Sequence, residues 1–149
     1  MTKTEIFTSL KKGLRIGKNG ETIKWLTPLT ELEKYCEAYS QTDNKPTHIY
    51  FGQKEIIPGV TLGLYTPFDT FRNNNHRPNL FHVGQNLSET SVTNLVTTLT
   101  NMLGQADEQD ETYGIFRKWK DQDIEICIFP RSHHGSDWNA ITIEIKNCL

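Results

Sequence analysis

Ile124-Glu125-Ile126-Cys127-Ile128-Phe129 and, further on, Ile141-Thr142-Ile143-Glu144-Ile145-Lys146 place an isoleucine at every second position. Successive side chains of a strand point to opposite faces, so each run lines one side of its strand with isoleucine. One buried face and one wet face is the pattern of an antiparallel sheet covered by helices on one side. Val92, Leu95, Val96, Leu99, Met102 and Leu103 supply such a helix at the 3.6-residue period, with Ser88 or Ser91 as its cap and Gly104 where it stops. The fold class predicted is α+β: an antiparallel sheet with two or three helices on one face.

Working outward, Tyr113 to Trp119 reads as a strand, and Lys120-Asp121-Gln122-Asp123 links it to Ile124 as a hairpin. Near the start, Thr4 caps a short helix to Lys12 with Ile6, Phe7 and Leu10 on one face, and Gly13 ends it. Residues 14–17 and 21–25 read as two strands around Lys18-Asn19-Gly20, since Asn-Gly suits a tight hairpin turn. Thr27-Pro28 then opens a helix whose stripe is Leu29, Leu32, Tyr35, Cys36 and Tyr39, ended by Ser40 to Lys45 and Pro46. His48 to Phe51, Val60 to Tyr65 and Leu80 to Val83 are further strands, with Asn73 to Pro78 as a loop. The chain, 1–149, reads as a single domain in which 27–72 and 88–147 are two divergent helix-plus-three-strand units.

Composition narrows the function classes. With 149 residues, 16 basic against 18 acidic side chains and 10% aromatics, the chain is neither a disordered segment nor built mainly to neutralise phosphates. The first ten residues lack the apolar core of a signal peptide, and no apolar run approaches the roughly 18 residues of a membrane span. Cys36, Cys127 and Cys148 are odd in number, widely spaced and without a CxxC pair, which fits a reducing compartment. The expected location is the cytoplasm.

Two strings carry candidate chemistry. His133-His134-Gly135-Ser136-Asp137 holds imidazoles and a carboxylate of the kind that bind metal or act as a general base. A third ligand has to come from His48, His76, His82 or a carboxylate, and none stands at a recognised metal spacing. No nucleophile elbow, Ser-x-x-Lys or phosphate loop occurs. The expectation is therefore no catalytic residue, metal or cofactor, with a small hydrolase on His133, His134 and Asp137 as an alternative. The second string, Ile16-Gly17-Lys18-Asn19-Gly20-Glu21-Thr22-Ile23-Lys24-Trp25-Leu26, resembles the signature of KH domains, with Gly17 to Gly20 as the Gly-x-x-Gly loop. That resemblance implies a loop between two helices clamping single-stranded nucleic acid, with Lys11, Lys12, Arg15, Lys18 and Lys24 on the phosphates.

The remaining feature is acidic. Asp107, Glu108, Asp110 and Glu111, with Asp121 and Asp123 in the hairpin link, are the candidate contacts for a basic protein partner, although the two groups need not lie at the same end of the sheet, and Trp138 is the candidate aromatic anchor. In size, charge and α+β layout the chain resembles the small cytosolic immunity proteins that bacteria keep beside polymorphic or contact-dependent toxins. That resemblance implies a non-enzymatic, stoichiometric inhibitor that occludes the functional surface of a basic toxin domain, with no membrane and no nucleic acid as partner.

Overall fold

The computed structural model describes residues 1–42, 45–67, 79–131 and 141–148. Eight strands form one antiparallel sheet: β1 (Ala38–Thr42), β2 (Lys45–Ile57), β3 (Val60–Pro67), β4 (His82–Leu87), β5 (Glu108–Asp110), β6 (Phe116–Asp121), β7 (Ile124–Phe129) and β8 (Ile141–Asn147). Their order across the sheet is β1-β2-β3-β4-β8-β7-β6-β5. Three helices accompany them among the described residues: α1 (Lys3–Lys12), α2 (Leu29–Leu32) and α3 (Glu89–Leu103). The chain is thus α+β, and none of its described helices is long and apolar enough to cross a membrane.

The isoleucine runs are β7 and β8. Ile126 lies opposite Ile145, and Ile128 opposite Ile143, with Val83 of β4 completing the row beside Ile145. All five are fully buried, in one cluster with Ile6, Phe7 and Leu10 of α1, Leu29 and Leu32 of α2, and Val92, Leu95, Leu99 and Leu103 of α3. Helix α3 starts at the Ser88 cap, whose hydroxyl accepts from the Ser91 N–H, and stops at Gly104, which takes the left-handed conformation at φ 80. Gln122 and Asp123 both have positive φ, as the two-residue β6–β7 turn requires.

Other elements differ from the sequence reading. The cap of α1 is Thr2, which accepts from the Glu5 N–H at 3.1 Å, and Thr4 lies inside the first turn. The helix expected from Thr27 to Tyr39 is a single turn, and Ala38–Thr42 is strand β1. Its N-cap position falls on Pro28, which has no capping side chain, while the Thr27 hydroxyl donates to Lys24 O instead. The long strand β2 meanwhile offers an open ladder: Glu37 N–H donates to Tyr50 O, and Tyr39 pairs with Ile49. Pro46 is not a terminator but stands in β2 opposite Gln41, where the register shifts.

The predicted hairpin over 14–25 is reduced to one bridge, Leu14 with Ile23. Trp25 is held away from it by its 2.6 Å bond to Leu10 O, and Leu26 turns at φ 67 to pair with Leu80. The acidic stretch is a strand, β5, rather than a connecting loop.

Candidate functional site

Among the described residues, strand β5 is the last strand on its side of the sheet and pairs with β6 alone, and its three residues Glu108, Gln109 and Asp110 are all exposed. Asp107 sets its start. One carboxylate oxygen accepts from the Lys120 backbone N–H at 2.9 Å and from Lys3 Nζ at 3.0 Å. The backbone bond, and then the lysine, hold this carboxyl below its ordinary value against the burial that pulls it up.

Glu108 lies opposite Lys118 on β6, 3.8 Å from its ammonium and 3.4 Å from that of Lys120. Lys118 also reaches Glu125 on β7 at 3.1 Å, and Glu125 lies 3.7 Å from Lys146 on β8. A ladder of alternating charge therefore crosses four strands. Burial alone lowers the Lys118 pKa, but the hydrogen bond to Glu125 and the surrounding charges outweigh it and raise the value overall. Glu125 is the converse: burial raises it, and the Cys148 thiol, Lys118 and Lys146 bring it below the ordinary value.

At the other end of β5, Asp110 accepts from both the N–H and the hydroxyl of Thr112, at 2.9 and 2.7 Å. These bonds depress its carboxyl and fix the turn that follows. Glu111 pairs with Arg117, and the turn then presents Tyr113, 77% exposed, to solvent. A concavity of about 750 Å³ lies along the strand, lined by residues 105–110 and Phe116.

The six carboxylates do not form one patch. Antiparallel pairing sets Asp107 beside the Lys120–Asp121 end of β6 and Asp110 beside Phe116 at the opposite end. Asp123 is in the β6–β7 turn, 3.4 Å from Lys11 of α1, and Asp121 lines a smaller cavity of about 350 Å³ with Cys148. Asp107, Glu108, Glu111 and Asp123 each have a cationic partner and Asp110 has Thr112, so the edge is charge-balanced rather than a bare acidic field.

The Gly17–Gly20 loop is a tight turn, closed by Gly20 N–H to Gly17 O at 3.0 Å. Gly20 has φ +81, a conformation that favours glycine. No helix adjoins the loop on either side, contrary to the KH arrangement. The Glu21 carboxylate already takes the Asn19 N–H at 2.9 Å, an anion of the protein's own at the place where a KH loop meets phosphate.

Trp138, His133, His134, Asp137 and His76 lie outside the described residues. His48 is on β2 and His82 on β4, 3.6 Å from Glu144. Among the described residues no three His, Cys, Asp or Glu side chains are grouped to hold a metal. All three cysteines are free thiols, and burial pushes Cys127 up to about 12.

Tyr113 was not a sequence candidate, because period-two reading of 113–119 made it the first residue of a strand. Its signal is the flanking Thr112 and Gly114, turn residues that place an aromatic side chain at a bend. No protein-family model, no curated protein and no solved structure matches this chain.

Proposed function

We propose that this chain is a non-enzymatic protein-binding module, a stoichiometric cytoplasmic inhibitor of the immunity type, and that it meets its partner along β5 and Tyr113. The observation that carries this reading is Tyr113: a large aromatic side chain 77% exposed at the end of a fully exposed edge strand. Aromatic anchors surrounded by polar rims dominate the energetics of protein interfaces.

The charge ladder fits the same role. Exposed ion pairs contribute little to stability, so a partner's Lys or Arg exchanges with Lys120 at Glu108 with small loss to the fold. The partner is accordingly a basic domain, and inhibition is occlusion of its functional surface. The helices' apolar side chains join a cluster that excludes Cys127 and Phe129, which alternate with the core isoleucines of β7. On that basis we place the helices on one face of the sheet.

The test is recovery of partners from the extract of the protein's own cell by the untagged chain, with and without nuclease, beside Tyr113→Ala and Asp110→Lys variants. The expected result is one protein near one-to-one stoichiometry, insensitive to nuclease and lost with either variant. Recovery of nucleic acid, or a partner retained equally by both variants, overturns the reading.

A further inference from the structure

Among the described residues, every pair of neighbouring strands is joined over at least three register positions except β3 and β4, which are joined at one, Tyr65 with Gly84. The next positions of an antiparallel ladder would be Gly63 opposite Asn86 and Pro67 opposite His82. At the first, the Gly63 N–H donates not to a backbone carbonyl but to the side-chain oxygen of Gln85, at 2.6 Å. At the second, Pro67 has no N–H to give, and the His82 carbonyl instead accepts from the Thr66 hydroxyl at 2.8 Å. Side-chain bonds thus flank the single bridge on both sides, each from a residue one place out of register.

We propose that the sheet is built to part locally along this line, with Gln85 and Thr66 as latches, so that β3 and β4 splay at the bridge ahead of the ladders on either side. The ladders on either side are longer: β2 pairs with β3 at seven positions, across two register shifts, and β4 with β8 at six. A local splay at the seam breaks the one bridge and these two side-chain bonds while the neighbouring ladders stay paired. Locally opening units of this kind have lower opening free energies than the global fold.

Amide hydrogen exchange on the full chain across low denaturant concentrations tests this without any knowledge of a partner. The Gly63 and Tyr65 amides are expected to exchange through an opening insensitive to denaturant, while those of Ile126 and Ile143 exchange only with global unfolding. Gln85→Ala is expected to speed Gly63 exchange about fivefold, the effect of losing one ordinary hydrogen bond, relative to Ile143. Pro67→Ala, which supplies the missing N–H, is expected to slow Tyr65 exchange. The proposal fails if Gly63 and Tyr65 exchange only with Ile143, if Gly63 opens locally but Tyr65 does not, or if Gln85→Ala speeds all four amides alike.

Discussion

Trp119 Nε1 donates a 2.9 Å hydrogen bond to the carbonyl oxygen of Gly104, joining β6 to the C-terminal cap of α3. The indole is fully buried, and β5 has no other strand beside it than the one that carries Trp119. Trp119→Phe leaves the Gly104 carbonyl without this donor and removes part of a packed ring. The expected loss is about 2–4 kcal/mol in chemical denaturation, and a loss below about 0.5 kcal/mol contradicts the role.

Tyr113 separates binding from folding. Its side chain is mostly in water, so Tyr113→Ala is expected to change stability by less than about 0.5 kcal/mol. Once the partner is in hand, titration calorimetry is expected to show the same variant losing at least tenfold in affinity, the mark of an interface hot spot of about 1.4 kcal/mol or more. Unchanged affinity would remove Tyr113 from the contact surface.

Asp107 gives a pH dependence with a definite sign. Its carboxyl is depressed below 3.8 in the fold, first by the Lys120 N–H and then by Lys3, against burial. A group depressed on folding contributes stability above its ordinary value and loses it as pH falls through the folded value. Wild type is expected to exceed Asp107→Asn in urea midpoint at neutral pH, with the gap narrowing as pH falls below 3.8. A gap that stays constant to about pH 2 would rule out the ionised carboxylate as its source.

Strands β7 and β8 and helix α3 were legible because each carries its own period over several residues, and α3 carries both caps as well. The Leu29–Tyr39 stripe misled for a physical reason. Its spacing is helical, but its fate is decided by β2, whose ladder recruits Ala38 to Thr42, and no local pattern records that pairing. The acidic residues of the candidate site were visible as a cluster. Their neutralisation was not, since Lys3 and Lys118 reach Asp107 and Glu108 only through the fold. Tyr113 stayed hidden because strand alternation and a bend assign the same residue opposite surroundings.

Cys148 is an exposed free thiol held by a carboxylate neighbour. Burial and the Glu125 carboxylate, 2.6 Å from its sulfur, raise the thiol to about 11. At pH 8 only roughly one thiol in a thousand is then thiolate. Iodoacetamide labelling followed by mass spectrometry is expected to find Cys148 slow, and Glu125→Gln to accelerate it several-fold. Equal rates in both proteins would show that the carboxylate does not control the thiol.

The β6–β7 turn gathers distant parts of the chain. Gln122 donates to the Thr8 hydroxyl at 2.8 Å, Lys11 reaches Asp123, and the Cys148 N–H donates to Asp123 O at 2.8 Å. Contacts between residues 112 positions apart close late, because a loop of that length must be ordered first. On the ribosome α1 emerges before the β6–β7 hairpin it docks against here, so the helix waits for that hairpin to find its place.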